Sequence, residues 1–485
     1  MSDGLFRRKV IVPQPPGEAL ARTLSWPHLV ALGVGAIVGT GILTLIGVGA
    51  DRAGPAVLLS FVVAGAICAC AALCYAEMAT TIPASGSAYT YSYAVLGEVI
   101  AWVVGWSLIL EYSLVVATVA VGWSGYATGF LHGLGIDLPR ELANGPGLGG
   151  VVNLPAVLII GLVAGLLMLG TRESARINTV LVLVKIATLT LFVVVALPRF
   201  DPAHLHPFAP YGYGSVAAAG GVKHGVMGAA AIIFFACYGF DAISTAAEEA
   251  KRPERDLAIG IVGSMIACTI IYLVVAAAAV GAVPVASFAK SPEPLALVLR
   301  SLGRPGVATV VAAAAAIALP TVLLAFLYGQ SRIFLVMARD GFLPASLAKL
   351  STRGTPVRIT AMTAAFVAVV AGLAPLDLIA SLANAGTLCA FIAVAASVLV
   401  LRRIEPGRTR AFRVPLAWVV APAAIVGCVY LFFSLQAVTQ RSFLVWNAVG
   451  LVVYFAYGRG RAVGREPIGT LIASTRAWHD GGVRR

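Results

Sequence analysis

The sequence predicts an all-α membrane protein. Of its 485 residues, 60% are hydrophobic and only 11% are charged, whereas soluble domains carry roughly 25% charged residues. The apolar residues form long blocks, and a hydrocarbon core about 30 Å thick requires helices of about 20 such residues. The net charge of +13 does not indicate a nucleic-acid partner, because the basic residues lie in short loops between apolar blocks and form no contiguous basic face.

Twelve apolar blocks are candidate membrane spans, and we number them spans 1 to 12. The even number puts both chain ends on one side. Lys and Arg concentrate in the loops of that side, which the positive-inside rule assigns to the cytoplasm of the cell membrane. We expect a cytoplasmic tail over 1–28, a transmembrane domain over 29–457 and a second cytoplasmic tail over 458–485. The spans are Leu29–Ala50, Ala56–Thr80, Val99–Phe130, Leu154–Leu169, Ile177–Leu197, Val226–Ala247, Leu257–Val283, Gly306–Val336, Ile359–Leu373, Leu378–Leu401, Leu416–Leu435 and Phe443–Tyr457.

Spans 1 and 6 contain residues that interrupt a helix. Span 1 has Gly39 and Gly41 around Thr40, and span 6 has Gly239 beside Asp241. Unwound backbone at membrane depth is tolerated only where it is buried in protein or lines a cavity. Two breaks at corresponding places in the halves of a chain indicate the substrate site of a transporter. The alternative is that the glycines only permit close helix packing, but an adjacent aspartate is hard to explain by packing.

Span 2 contributes small packing residues and one carboxylate. Cys68, Cys70 and Cys74 have no histidine or carboxylate at metal-ligand spacing, so we interpret them as packing residues. Glu77 lies near the cytoplasmic end of the span, where a structural role is expected. Metal ligands, cofactor motifs and paired catalytic groups are not evident anywhere in the sequence, so we expect neither a cofactor nor an enzyme.

Several motifs together carry a resemblance to a known family. The chain resembles the amino acid–polyamine–organocation superfamily, in the branch of cationic amino acid transporters and their bacterial relatives. The resemblance implies two inverted five-helix repeats, spans 1–5 and 6–10, in a LeuT-like arrangement with two peripheral helices, and with spans 1 and 6 unwound at mid-membrane. The motifs are Gly39–Gly41, Tyr75–Met78 with Ile82–Gly86, Ile109–Tyr112, Val121–Tyr126, Phe234–Glu249, Tyr328–Arg332, Met337–Gly341 and Leu399–Arg403.

An amino-acid substrate carries a carboxylate and an ammonium that must both be satisfied at the midplane. The break at Gly39, Thr40 and Gly41 exposes backbone N–H groups at a helix N-terminus, where the dipole favours an anion. We expect these N–H groups and the Thr40 hydroxyl to hold the carboxylate. In relatives, an aromatic residue at the position of Phe235 closes over the substrate. The carbonyls expected to accept from the ammonium are those of Ile37, Phe235, Ala236 and Tyr238.

Two residues on spans 3 and 8 bear on the substrate side chain. Glu111 on span 3 is expected at the depth of the substrate cavity, where it either receives a cationic side chain or is held by a hydrogen bond and is indifferent to substrate charge. Phe326 on span 8 is bulky and apolar, which favours small neutral amino acids such as alanine. Both alternatives for Glu111 stay open at this point.

Lys185 is the most unusual ionisable residue, because it lies mid-span in an otherwise aliphatic span 5. A charge at the centre of a transmembrane helix costs about 2.5–3.5 kcal/mol on insertion scales. In sodium-coupled members of this fold the corresponding region binds sodium, and the resemblance implies that a lysine substitutes for the ion and bridges helices 1, 5 and 8. We expect it to carry the coupled proton. Asp241 is either a second proton carrier, a partner of Lys185, or a purely local hydrogen-bonding group.

These features predict proton-coupled uptake of an L-amino acid by alternating access, with protons, the substrate and the lipid bilayer as partners, no nucleic acid, and room for a small accessory membrane subunit. An amino acid exchanger and a non-transporting amino-acid sensor are the alternatives. Glu248 and Glu249 lead into a charged run and are expected to form a solvated helix end. The alternative is an inner gate, in which they pair with Arg22 or with the loop after span 8.

Overall fold

The computed structural model describes residues 7–9, 24–84, 86–169, 175–218, 221–344, 346–347, 349, 351 and 355–459, and the predicted tails lie largely outside them. The chain is mostly helical. Within the described residues the α-helices are α1 Trp26–Ile37, α2 Thr40–Leu43, α3 Leu45–Ala53, α4 Val57–Thr81, α5 Ser87–Val95, α6 Glu98–Gly133, α7 Arg140–Ala143, α8 Leu154–Met168, α9 Ala175–Ala196, α10 Val226–Cys237, α11 Asp241–Thr245, α12 Pro253–Ala282, α13 Pro294–Ser301, α14 Pro305–Ala318, α15 Pro320–Arg339, α16 Val357–Leu373, α17 Leu376–Ile404, α18 Ala417–Ser434 and α19 Ala437–Val453; the strands are β1 Val216–Ala217 and β2 Lys223–His224.

The helices confirm an all-α protein that passes through the membrane several times. In the part of the chain that the structure describes, nine helical stretches are long and apolar enough to cross a membrane, and the apolar helices α8 and α16 are shorter. Each predicted span overlaps at least one helix. The count of twelve crossings and the inverted repeat stay predictions.

Some elements differ from the predicted spans. Span 8 is divided into α14 and α15, and α15 begins at Pro320. Proline has no N–H to continue the helix before it, but at the first position of a new helix this missing donor costs little. Helices α5 and α13 and the short β1–β2 hairpin were not predicted. The sequence of α5 is rich in Ser, Thr and Tyr, yet nearly all its side chains are buried in the protein, so it lacks the apolar character of a membrane span.

Small residues bring α1 close to α12. A Cβ on Gly33 of α1 would lie 2.7 Å from the Cβ of Ser264, and a Cβ on Gly260 of α12 would lie 2.9 Å from the Cβ of Leu29. Glycine at both positions therefore lets the two backbones pack closely, which is how helices associate where no water drives them together. This contact fixes the helix that leads into the first break.

Three tryptophans attach α19 to α6. The Trp106 indole N–H donates to the carbonyl of Trp446 at 2.8 Å, and the Trp446 N–H returns a bond of 3.0 Å to the carbonyl of Trp106. The two rings stack with centroids 4.9 Å apart, and the Trp102 indole donates to the carbonyl of Gly450 at 2.7 Å. An indole N–H inside an apolar environment needs an acceptor, so these bonds fix the register of the two helices.

A buried ion cluster ties the end of α4 to the end of α17. The Glu77 carboxylate is 1% exposed and accepts from Arg402 at 2.9 and 2.5 Å and from the Val414 N–H at 2.7 Å. Arg410 lies 3.3 Å from the same carboxylate. These contacts agree with the structural role expected for Glu77.

Further ion pairs lie at both ends of the helices. Near the end of α4, Glu249 pairs with Arg332 of α15 at 2.7 Å, whereas Arg22, one partner proposed from the sequence, lies outside the described residues. Lys9 donates to Asp340 at 2.6 Å. A further pair joins the end of α3 to the beginning of α17, where Arg52, 2% exposed, lies 3.3 Å from Asp377.

Candidate functional site

Both predicted breaks are present. The first helix ends at Ile37, Val38 is extended, and the chain resumes helical structure at Thr40. At the second break, helix α10 ends at Cys237, and α11 begins only at Asp241. Between them Tyr238 is extended and Gly239 has a φ of +116°, a conformation that favours glycine.

The two breaks contact each other through glycine. A Cβ on Gly41 would lie 2.6 Å from the Cβ of Ala236 and still closer to its Cα. A Cβ on Gly239 would lie 3.1 Å from the carbonyl carbon of Ala36. Each interrupted segment therefore needs glycine where it meets the other, and the two sets of freed main-chain groups face a common space.

Main-chain donors and acceptors are available at the breaks. The first intrahelical bond after the first break runs from the Leu43 N–H to the Gly39 carbonyl at 3.2 Å. The N–H groups of Thr40 and Gly41 come earlier in the chain and therefore have no acceptor within the helix. The carbonyls in the last turn of α10 likewise have no N–H donor within the helix, because the helix ends there. One expected acceptor is already engaged, because the Tyr272 hydroxyl donates to the carbonyl of Ile37 at 2.7 Å.

A small cavity lies between the breaks, with a volume of about 10 Å³. Such a volume holds roughly one water, so even alanine requires the walls to move apart. Seven predicted site residues line the cavity; Ala236 packs behind it against Gly41. The lining residues are Ala36, Ile37, Gly39, Thr40, Gly41, Val115, Val119, Phe235, Tyr238, Val322 and Phe326.

Four lining residues were missed by the sequence analysis: Ala36, which directly precedes the predicted Ile37, and three valines. Val115 and Val119 follow Glu111 by one and two helical turns, and Val322 precedes Phe326 by one turn. This i, i+4 spacing places them on the same helix faces as the residues that were predicted. The periodicity was therefore a usable signal, but apolar residues in an apolar span do not stand out.

Glu111 lies outside the cavity lining. The Glu111 side chain is fully buried. A Cβ on Gly386 of α17 would lie 3.0 Å from the Cβ of Glu111. Both carboxylate oxygens are buried, and the Thr387 side chain of α17 is their polar neighbour. Val115 lines the cavity one turn further along α6, whereas the Cβ of Glu111 packs against Gly386 of α17.

Asp241 is held by local hydrogen bonds. One carboxylate oxygen accepts from the Tyr112 hydroxyl at 3.0 Å, and the other accepts from the Gly239 N–H at 3.1 Å. The bond from Gly239 closes the turn between the two halves of span 6, and the bond from Tyr112 ties the carboxylate to α6. These contacts favour the local role among the three that the sequence left open.

Lys185 reaches the helix that ends at the first break. Its side chain is buried, 3% exposed, and Nζ donates to the carbonyl of Gly35 at 2.7 Å. Gly35 precedes Ile37, the last residue of α1, by two positions. The ammonium is therefore bound to the last turn of α1, where the helix dipole favours a cation.

Thr40 faces helix α6 as well as the cavity. A Cβ on Gly122 would lie 2.9 Å from the Thr40 hydroxyl oxygen, which has no hydrogen-bond partner within the described structure. Tyr126, one turn along the same helix, donates to the carbonyl of Leu43 at 2.6 Å. The segment after the first break is thus held against α6 by close packing and one hydrogen bond.

The sequence matches known proteins over nearly its whole length. Residues 24–456 match the family model described as amino acid permease. The branched-chain amino acid permease BcaP of Bacillus subtilis (strain 168) is 45% identical, covering 95% of this chain and 98% of the relative. The methylthioribose transporter of the same organism is 41% identical, covering 94% and 98%. The vacuolar cationic amino acid transporter 4 of Arabidopsis thaliana is 37% identical, covering 83% and 68%.

Proposed function

The chain belongs to the amino acid permease family and is a transporter rather than an enzyme, and from this premise we propose that it takes up a neutral L-amino acid by proton symport. The observation that carries the proposal is the apolar-walled cavity between two interrupted helices. Main-chain N–H groups after Gly39 bind the carboxylate, and carbonyls at the end of α10 bind the ammonium. Substrate and proton cross together by alternating access.

The cavity walls support a neutral, apolar side chain. Val115, Val119, Val322 and Phe326 supply apolar surface, and among the described residues no carboxylate or basic side chain belongs to the lining. A cationic side chain would be left without a counter-charge, which is costly in a low-dielectric site. The branched-chain substrates named for the Bacillus subtilis relative agree with this surface, and we propose alanine, valine and leucine as the candidates.

Proton coupling is proposed for Lys185. Its bond to Gly35 joins α9 to the end of α1, so loss of the proton would change a direct link to the first break. An ammonium can donate three hydrogen bonds, and one of them goes to the carbonyl of Gly35. We propose that Lys185 is protonated when substrate is bound and releases the proton as the cytoplasmic side opens.

Uptake into proteoliposomes tests the function. Purified protein is reconstituted, and labelled alanine, valine, leucine, lysine and methylthioribose are offered with and without an imposed pH gradient. A symporter accumulates neutral amino acids only when the interior is more alkaline. An exchanger takes up label only against a preloaded amino acid, and a sensor binds its ligand without accumulating it.

The remaining architecture is proposed on the same premise. We propose twelve crossings, the inverted repeat of spans 1–5 and 6–10, and both termini in the cytoplasm, supported by the distribution of Lys and Arg. Cysteine labelling from either side of the membrane tests the orientation, with single cysteines introduced at Arg140 and Arg358 in a background without the native cysteines. Arg140 is expected to react only from outside and Arg358 only from inside.

A further inference from the structure

A second cavity lies away from the candidate site, where the end of α9 meets the beginning of α14. Its volume is about 280 Å³. Val194, Leu302 and Val307 supply apolar walls, and Arg199 and Arg304 bring two guanidinium groups to the same groove. The groove therefore combines two positive charges with a surface suited to hydrocarbon.

Among the residues that the structure describes, the two arginines have no anionic partner. Within the described residues neither Arg199 nor Arg304 makes a side-chain hydrogen bond or an ion pair, and both are exposed. Two acidic residues of the flanking segments bond elsewhere: one oxygen of Asp201 accepts from the Ala203 N–H at 2.8 Å, and Glu293 pairs with Arg300. Within that part of the chain, no ion pair compensates the two guanidinium charges of the groove.

The groove borders a surface that the bilayer is expected to cover. The side chain of Val194 is 62% exposed and that of Val310 is 56% exposed, as expected for helix faces in contact with lipid. Arg199 follows the last turn of α9, which is where charged groups of a spanning helix meet the lipid headgroups. A guanidinium group can donate two parallel N–H bonds to two oxygens of one phosphate, because its planar donors match the spacing of those oxygens.

We propose that this groove binds an anionic phospholipid. The phosphate ester lies between Arg199 and Arg304, and an acyl chain follows Val194 and Val307. The positive-inside distribution places the site in the outer leaflet. A lipid bound there joins α9, which carries Lys185, to α14.

Thermal unfolding of the purified full-length protein tests the proposal. After removal of lipid in detergent, the unfolding midpoint is followed against the mole fraction of phosphatidylglycerol or phosphatidylcholine. Phosphatidylglycerol is expected to raise the midpoint more, because a ligand that binds only the folded state stabilises it. The Arg199→Ala/Arg304→Ala variant is expected to need roughly 25-fold more phosphatidylglycerol for half of the shift, about fivefold per arginine.

The control variant is Arg140→Ala/Lys290→Ala, which removes two exposed positive charges from loops predicted on the same side. It is expected to respond like the wild type. An unchanged response of the arginine variant, or an equal effect of phosphatidylcholine, would overturn the proposal. Inorganic phosphate is added alone as a further arm; if it reproduces the full shift, the groove is a site for free anions and the lipid assignment is wrong.

A second measurement needs no variant. Native mass spectrometry of the wild-type protein is expected to retain phosphatidylglycerol in preference to phosphatidylcholine at equal supply. Equal retention of the two lipids contradicts the proposal, even where the arginine variant fails to fold. The variant Arg199→Lys/Arg304→Lys keeps both charges without the planar forks, and we expect it to lie between the wild type and the alanine variant.

Discussion

Lys185 and Gly35 are joined by a hydrogen bond of 2.7 Å that links α9 to the last turn of the first interrupted helix. The bond is buried. It is a direct connection between a titratable side chain and the segment that ends at the candidate substrate site. If it transmits proton binding to the break, its removal uncouples transport from the pH gradient.

We expect Lys185→Ala to abolish uptake driven by a pH gradient while exchange of internal for external substrate continues, because the substrate contacts at the breaks remain. Proteoliposome uptake with and without the gradient measures this. Thr188→Val, on the same helix, is the control, since the Thr188 hydroxyl donates to the carbonyl of Val184 in its own helix at 2.7 Å. A full gradient effect in Lys185→Ala would exclude the lysine as proton carrier.

Gly41→Ala is expected to lower uptake by roughly 5- to 150-fold. Its Cβ would meet the backbone of Ala236, which no side-chain rotation relieves; overpacking of this kind costs about 1–3 kcal/mol. Gly161→Ala is the matched control, because a Cβ at that position would meet no other described part of the protein within 4 Å. Normal uptake by Gly41→Ala in initial-rate measurements would show that the close contact of the two breaks is dispensable.

Phe326→Ala is expected to broaden the substrate range towards longer side chains. The ring is part of a cavity of about 10 Å³, and its removal makes room for additional methylene groups, each worth a factor of roughly 10 or more in discrimination. Competition of leucine and methionine against labelled alanine measures the change. An unchanged ranking of competitors would place the selectivity elsewhere, with Val119 and Val322 the next residues to vary.

Glu111→Gln is expected to leave the discrimination between neutral and cationic amino acids unchanged, because the carboxylate lies outside the cavity lining and is buried beside α17. The measurement is inhibition of alanine uptake by lysine and arginine. A marked change in inhibition by the cationic amino acids would mean that Glu111 contacts the substrate side chain in another conformation.

Glu77→Ala is expected to reduce the free energy of unfolding by about 3 kcal/mol, since it leaves a largely buried arginine cluster without its carboxylate. Thermal or denaturant unfolding in detergent measures the loss. Arg408→Ala is the control: its pair with Glu405 is partly exposed, and such pairs contribute about 0–1 kcal/mol. Equal effects of the two substitutions would contradict a structural role specific to Glu77.

The sequence predicted what depends on local composition. Long apolar blocks located the helices, and glycine located both breaks, because a broken helix needs residues that tolerate non-helical dihedrals. The helix α5 was missed because it is buried by protein while its composition is polar. The partner of Ile37 was missed because Tyr272 lies 235 residues away along the chain.

Side-chain orientation was harder to predict. Glu111 and Val115 lie on one face of α6, yet only the valine lines the cavity; which neighbour covers each turn depends on how α17 packs. The same holds for Asp241, whose contacts with Tyr112 and Gly239 follow from the fold of the second break. Charged residues in apolar spans were identified from the sequence, but their partners required the structure.

Accumulation of labelled valine in proteoliposomes under an imposed pH gradient tests the central claim most directly. We predict that valine concentrates inside only when the interior is more alkaline, and that the Gly41→Ala variant loses this accumulation. Accumulation that is equally large without the gradient, or an absence of uptake from a folded and correctly inserted protein, would contradict proton-coupled transport through a site at the two helix breaks.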